Sequence, residues 1–173
     1  ARKMAEAQNL VFVHPYDDPL IVAGQGTIGL EIVEDLPRFD TLVVPIGGGG
    51  LISGIALAVK AAHPKAEIIG VEADLYPSMH HAVRGLPPAN RGQTLADGIA
   101  VKSPGQLTRA IIEREVGDLL LVDENWIEAA VHTLVERQNV VAEGAGAASL
   151  AAVMANPARF AGRDIVLLVS GGN

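Results

Sequence analysis

The stretch from residue 42 to residue 62 constrains the fold of this chain more than any other part of the sequence. It opens with an apolar run suited to a buried strand, residues 42–46, and continues through four consecutive glycines at 47–50. Apolar residues then recur at helical spacing as far as Ala62. The sequence therefore predicts a strand that passes through a glycine turn directly into a helix.

A strand, a glycine turn and a helix in this order are typical of a site for a phosphate-type anion. Glycine tolerates positive φ and leaves no Cβ between the backbone amides and a ligand. The first amides of a helix lack intrahelical partners, and the helix dipole favours an anion there. No Lys-Ser or Lys-Thr pair follows the glycines directly, and their spacing does not give a clean GxGxxG, so a P-loop and a dinucleotide fingerprint are not indicated. The alternative interpretation is a tight turn without a ligand.

The composition favours one α/β domain built on a parallel sheet. The chain has 173 residues, of which 49% are hydrophobic and only 3% aromatic, so its core must consist of aliphatic side chains. A net charge of -7 argues against a nucleic-acid partner. The absence of cysteine excludes disulfides and thiolate metal sites. No apolar run is long enough to span a bilayer and no signal-peptide pattern occurs, so we expect no membrane partner and a cytoplasmic location.

Periodicity and capping residues predict further elements on both sides of the glycine turn. They are a helix over 1–8 ending at Asn9, a strand over 10–13, a helix over 28–35 capped by Thr27, a strand over 66–71 ending at Glu72, a helix capped by Ser103, a strand over 119–122, a helix capped by Asp123, a helix beginning near Glu143, and a strand over 165–169. Strand, helix and strand at this spacing form a right-handed crossover. A mainly parallel sheet with helices on both faces is therefore expected.

Several polar residues follow the predicted strands. Ligands of parallel sheets lie beyond the carboxyl ends of the strands, so Glu72 and Ser170 share an edge of the sheet with the glycine turn. Glu143 has two interpretations: a carboxylate in water at the positive end of its helix, or a carboxylate that faces this edge. His14, Asp17 and Asp18 could suggest a metal, but an ordinary polar loop is the favoured interpretation.

Five motifs, in order along the chain, carry a family resemblance. HPYDDPLIVAGQGTIGLEI begins at His14, GGGGL follows VVPI, VEAD follows the next strand, TLADG ends at Gly98, and SGGN closes the last strand. Together they resemble the serine/threonine dehydratases, which are pyridoxal 5′-phosphate (PLP) enzymes of fold type II. The resemblance covers almost the whole chain and implies the large, tryptophan synthase β-like domain of such an enzyme.

The resemblance implies a role for each matching position. It assigns the PLP phosphate to the backbone amides of Gly47, Gly48, Gly49, Gly50 and Leu51. It implies that Ser170 hydrogen-bonds the pyridine nitrogen, and that Gly98 and Glu143 line the cofactor pocket. Glu72 corresponds to a glutamate that takes part in a monovalent or divalent cation site in relatives. Ser78 stands where some relatives have a further carboxylate.

The resemblance also implies residues that this sequence does not contain. The family's Schiff-base lysine lies in a motif of the type S-x-K-x-R, which is not found here, and the only lysines are Lys3, Lys60, Lys65 and Lys102. We therefore expect residues 1–173 to form a single partial domain, inactive alone, whose partners are an N-terminal lysine segment and a small substrate domain.

The implied activity of the parent enzyme is deamination of L-threonine or L-serine to a 2-oxo acid, by a homo-oligomer. The alternatives are a serine racemase or hydroxyaspartate dehydratase, and, in another class, a non-catalytic module that binds PLP or another phosphate or only pairs with another chain. Self-association or poor solubility of the isolated chain is also expected.

Overall fold

The computed structural model describes residues 1–172, and Asn173, the last residue of the SGGN motif, lies outside the described residues. A four-stranded parallel sheet with the order β3-β2-β1-β4 forms its centre. The strands are β1 (Thr41–Pro45), β2 (Glu67–Ala73), β3 (Asp118–Val122) and β4 (Ile165–Leu167). The helices are α1 (Arg2–Gln8), α2 (Pro19–Asp35), α3 (Gly50–Ala62), α4 (Ser78–Val83), α5 (Gln106–Glu115), α6 (Glu124–Gln138), α7 (Gly144–Ala155) and α8 (Pro157–Phe160).

Helices cover both faces of the sheet, which confirms the expected fold class. Alternate residues of β1 enter two different hydrophobic clusters: Leu42 and Val44 pack with α3 and α5, and Val43 packs with α6 and α7. All five residues of β1 are buried, because a central strand of a parallel sheet has no solvent-facing side. Aliphatic residues therefore dominate the core, as the composition predicts.

The fold also corrects two predictions at the N-terminal end. Residues 10–13 lie outside the four-stranded sheet, so the predicted strand there is wrong, and their apolar side chains are exposed. Helix α2 begins at Pro19 and continues through Gly24 and Gly26, so Thr27 does not start a helix. The cap is Asp18, whose Oδ1 accepts hydrogen bonds from two amides of the first turn, and proline is favoured in that turn.

The glycines inside α2 permit a close helix–helix contact. A Cβ on Gly29 would lie 2.8 Å from Ala58 Cβ, and one on Gly54 would lie 2.2 Å from the carbonyl oxygen of Val22. Helices α2 and α3 therefore pack backbone to backbone at this point. Gly24 and Gly26 indicate a turn when the sequence is read alone. They are compatible with a continuous helix here, because tertiary packing of α2 on α3 compensates for the low helix propensity of glycine.

Helix α5 corrects a third prediction. Its first turn is capped by Asp17, which is distant in sequence, rather than by Ser103. The Asp17 carboxylate accepts hydrogen bonds from the amides of Gln106, Leu107 and Thr108 at 3.0, 2.9 and 3.3 Å. These hydrogen bonds connect the loop before α2 to α5.

The predicted caps at Asn9 and Asp123 are confirmed. Asn9 ends α1 with φ 51, and the Asp123 side chain accepts a hydrogen bond from the amide of Trp126.

Candidate active site

A cavity of about 550 Å³ opens where β1 and β4 end. All eight residues that the resemblance assigns to the cofactor line this cavity: Gly47, Gly48, Gly49, Gly50, Leu51, Gly98, Glu143 and Ser170. They come from four separate parts of the chain. The fold brings them together because the carboxyl ends of parallel strands meet at one edge of the sheet, and ligands of such sheets bind there.

The glycine turn forms one wall and shows why side chains are excluded from it. Gly49 has φ 94 and is the N-cap of α3, a conformation that residues with a Cβ rarely adopt. A Cβ on Gly48 would lie 2.1 Å from Cγ of Tyr16, and one on Gly47 would lie 3.1 Å from Cγ2 of Val101. The wall facing the cavity is therefore bare backbone that leads into the first turn of α3.

Glu143 also lines the cavity and lies between two further glycines. Its Oε1 would be 3.3 Å from a Cβ on Gly98 and 2.6 Å from a Cβ on Gly171. Its backbone amide donates to the carbonyl of Gly171 at 3.1 Å, which joins the start of α7 to the segment after β4. Of the two interpretations of Glu143, the geometry favours the one in which the carboxylate faces this edge, because Glu143 is half-buried and lines the cavity.

Ser170 follows β4 and borders the same cavity. The residue is exposed, and within residues 1–172 its hydroxyl makes no hydrogen bond. A serine hydroxyl can donate one hydrogen bond and accept others, so it can pair with a ring nitrogen in either protonation state. Strand β4 ends at Leu167, two residues earlier than predicted.

Tyr16 is a cavity residue that the sequence did not indicate. Its ring packs on the glycine turn, and its hydroxyl donates to the carbonyl oxygen of Ser103 at 2.9 Å. The neighbouring polar residues have structural roles: His14 Nδ1 accepts from the amide of Asp17 at 2.8 Å, and Asp17 and Asp18 cap two helices. The only signal for Tyr16 in the sequence was its place in the HPYDDP motif.

Glu72 lies outside this cavity and is 1% exposed. Its two carboxylate oxygens accept hydrogen bonds from the amides of Met79 and His80 at 2.8 and 2.7 Å, at the start of α4. Burial raises the pKa of this carboxyl to about 7, although these two amide bonds favour the charged form. Among the described residues, no group of three or more His, Asp or Glu side chains is arranged to hold a metal. A cation at Glu72 stays a prediction.

The lysines are placed away from the cavity. Among the residues that the structure describes, no lysine lines it. Lys102 follows the cavity residue Val101 in sequence but is itself exposed. Lys60 Nζ donates to the carbonyl of Pro64 beyond the far end of α3. That none of the four lysines is the family's nucleophile stays a prediction.

A larger cavity, of about 890 Å³, lies at the opposite end of the sheet. Charges of both signs line it, including Arg38, Lys65, Asp40 and Asp164. It adjoins the amino ends of the strands, whereas ligands of open α/β sheets bind beyond the carboxyl ends. The smaller, glycine-lined cavity is therefore the candidate active site despite its size.

Comparison with known proteins shows the family of this chain. The family of pyridoxal-phosphate dependent enzymes matches residues 1–171. L-threonine ammonia-lyase from Thermotoga maritima is 47% identical over 100% of this chain and 43% of its own length. Catabolic L-threonine dehydratase from Staphylococcus aureus is 42% identical over 99% of this chain and 51% of its own length.

Solved structures show the same relationship. A threonine deaminase from the organism abbreviated T.th. superposes with a TM-score of 0.93 at 36% identity, covering 100% of this chain and 60% of that one. Maize serine racemase superposes with a TM-score of 0.90 at 35% identity, covering 99% of this chain and 55% of that one. The chain belongs to the pyridoxal-phosphate dependent enzymes of fold type II, which confirms the resemblance and its cofactor. It spans about half the length of the curated relatives that it matches.

Proposed function

We propose that this chain forms the cofactor-binding part of a PLP-dependent threonine/serine dehydratase. The observation that carries the proposal is the convergence of all eight assigned residues on one cavity. Relatives named threonine ammonia-lyase, threonine dehydratase and threonine deaminase support the substrate class. The proposed reaction converts L-threonine to a 2-oxo acid and ammonia; the water lost with the β-hydroxyl is returned on hydrolysis of the enamine.

The residues of the cavity fit PLP. The glycine turn presents backbone without side chains to the cavity, and the first amides of α3 provide donors and a positive dipole for a doubly charged phosphate. We assign the phosphate to residues 47–51, and the ring nitrogen to Ser170. Gly98 and Glu143 complete the wall. Bound PLP would accept the electrons left by loss of the α-proton. A neutral hydroxyl hydrogen-bonded to the ring nitrogen makes the ring a weaker electron acceptor, which suits loss of a β-hydroxyl.

The length of the relatives supports one further part of the proposal, and the family resemblance supports the others. We propose that the nucleophilic lysine and the substrate-binding residues lie in a part of the enzyme outside these residues, with residues 1–173 as one partial domain. We also propose a homo-oligomer in the cytoplasm and a cation near Glu72. No helix within residues 1–172 combines the length and apolar character needed to cross a membrane.

Two assays test these assignments. The chain should bind PLP, and borohydride reduction followed by peptide mapping should find no stoichiometric pyridoxyl-lysine among Lys3, Lys60, Lys65 and Lys102. Specific labelling of one of them would contradict the absence of the nucleophile. The complete enzyme should release 2-oxo acid and ammonia from L-threonine or L-serine.

Serine racemase is the second candidate, because maize serine racemase shares the fold at 35% identity. The complete enzyme can be assayed on L-threonine, L-serine and 3-hydroxyaspartate, with chiral analysis of residual serine. Formation of D-serine faster than 2-oxo acid would favour racemization, and preference for 3-hydroxyaspartate would favour a hydroxyaspartate dehydratase. If no substrate is turned over but PLP binds, the chain belongs to a non-catalytic binding protein.

A further inference from the structure

A buried threonine contacts the glycine turn from behind. Thr108, on α5, is 0% exposed, and its Oγ1 donates a hydrogen bond of 2.7 Å to the carbonyl oxygen of Gly48. The amide of Gly105 donates to the same oxygen at 3.4 Å. Thr108 does not line the cavity, whereas Gly48 does. The carbonyl of Gly48 therefore points into the protein and away from the cavity.

The direction of this carbonyl matters for an anion. The peptide that joins Gly48 to Gly49 lies between two glycines, so no Cβ restricts its rotation. If the peptide turned over, a carbonyl oxygen with its partial negative charge would face the phosphate in place of an amide. Backbone amides bind phosphate only when they point at it. Two hydrogen bonds hold the peptide, and the one from Thr108 is much the shorter.

Thr108 is itself held on both sides. Its amide donates to the carboxylate of Asp17, and its carbonyl oxygen accepts from Oγ of Ser53 at 3.3 Å. Ser53 lies one turn into α3, the helix that the glycine turn begins. The start of α5 is thus connected to the start of α3 through Thr108. A buried hydroxyl in this position needs a partner, and Gly48 supplies the acceptor.

We infer that Thr108 is a positioning residue for the phosphate: its hydroxyl holds the carbonyl of Gly48 away from the cavity, so that the amides of the turn face the anion. Thr108 does not touch the cofactor in this arrangement. The inference rests on the proposed function, since it presumes a phosphate at the glycine turn. It predicts that loss of the hydroxyl weakens binding of the phosphate and leaves binding of the pyridine ring unchanged.

The test compares two ligands that differ only in the phosphate. The probes are 4′-deoxypyridoxine 5′-phosphate and 4′-deoxypyridoxine, which lack the aldehyde and cannot react with lysines. Their dissociation constants are measured by calorimetry for the wild-type chain and for Thr108→Val, which keeps the shape and removes the hydroxyl. We expect about a tenfold loss in affinity for the phosphorylated probe, as for one hydrogen bond, and no change for the other. The 31P NMR resonance of the bound probe should also shift.

Two variants serve as controls. Thr108→Ser retains a hydroxyl and should recover most of the affinity. Thr133→Val removes a hydroxyl that donates to the carbonyl of Ala129 within α6, and it should leave both affinities unchanged. Thermal unfolding of each variant shows whether the fold is retained.

The outcomes separate the inference from the proposed function. If wild type does not prefer the phosphorylated probe, the phosphate site itself is refuted, and the inference falls with it. If wild type does prefer it but Thr108→Val binds it equally well, or loses both probes to the same extent, the inference alone is refuted.

Discussion

Gly48 and Tyr16 show how a single contact restricts the glycine turn. The ring of Tyr16 occupies the position that a side chain on Gly48 would need, with 2.1 Å between the Cβ site and Cγ. We expect Gly48→Ala to displace this ring or the turn. Overpacking of this kind typically costs about 1–3 kcal/mol in the free energy of unfolding. The variant should also lose affinity for PLP, and urea unfolding and PLP titration measure the two effects.

Gly24→Ala provides the matched control for this prediction. Gly24 lies inside α2, and a Cβ there would meet no atom within 4 Å. The substitution should raise the free energy of unfolding by about 0.5–1 kcal/mol, because alanine loses less backbone entropy in a helix. PLP affinity should stay at the wild-type value. Equal behaviour of the two variants would show that contact with Tyr16 is unimportant.

The raised pKa of Glu72 predicts that the free energy of unfolding depends on pH. Its pKa is about 7 in the folded chain, against 4.5 as the ordinary value. Between these values the unfolded chain loses the proton and the folded chain keeps it, so stability falls as the pH rises from about 4.5 to about 7 and is then constant. Each unit of difference between the folded and unfolded pKa values corresponds to about 1.4 kcal/mol in the free energy of unfolding. Glu72→Gln should remove this part of the pH dependence.

Urea unfolding of wild type and Glu72→Gln at pH 5 and pH 7.5, in the presence of EDTA, tests this expectation. Wild type should lose free energy of unfolding between pH 5 and pH 7.5, whereas Glu72→Gln should not show this loss. The glutamine variant should therefore be more stable relative to wild type at pH 7.5 than at pH 5. A difference that is the same at both pH values would show that the carboxyl is already ionised at pH 5. The hydrogen bonds from Met79 and His80 would then outweigh burial.

The candidate site was predictable to the extent that it is made of short motifs. The glycines at 47–50, Glu143 and Ser170 each stand next to a strand or helix end that local patterns reveal, and the parallel topology brings them together. Thr108 and Tyr16 could not be found in this way. Their contacts to the turn and to Ser103 cross 60 and 87 residues of sequence, and they depend on tertiary packing.

At the scale of elements, the start of α5 depends on a side chain from another part of the fold. Asp17 accepts hydrogen bonds from three amides of α5, across about 90 residues of sequence. Asp17→Ala should leave all three amides without this acceptor and lower the free energy of unfolding by about 2 kcal/mol, the upper end for a helix cap. Hydrogen exchange at residues 106–108 should accelerate.

Asp18→Ala is the comparison within the same loop. Asp18 caps α2 locally, and its bonds to Leu20 and Ile21 do not connect separate parts of the fold. We expect a smaller loss of about 1 kcal/mol and unchanged exchange in α5. An equal effect of the two substitutions on α5 amides would contradict a specific role for Asp17 as its cap.

Element boundaries were predicted well where the signal is local and poorly where it is not. The strand β1 and the caps at Asn9 and Asp123 follow from neighbouring residues. The start of α2 was placed too late because Gly24 and Gly26 indicate a turn when read alone. The close approach of α3 at Gly54 accounts for the glycine at 26, because a Cβ there would lie 3.1 Å from the carbonyl oxygen of Gly54, whereas Gly24 has open space around it.

At the scale of the whole molecule, residues 10–13 form a run of four consecutive exposed apolar residues outside the core. Val11 is 91% exposed and Val13 63%, in a segment with strand-like composition outside the sheet. Exposed apolar segments of this kind favour association between chains. We expect the chain to self-associate at high concentration, as measured by light scattering.

Val11→Lys should reduce this self-association, because a charged residue in such a segment opposes edge-to-edge pairing. Leu20→Lys is the matched control: Leu20 is 82% exposed on α2, where the backbone is already hydrogen-bonded within the helix. If the association involves strand pairing by residues 10–13, only the first substitution lowers the scattering mass. If both substitutions lower it equally, general surface hydrophobicity drives association. If neither does, or if wild type is a monodisperse monomer at high concentration, residues 10–13 do not mediate association.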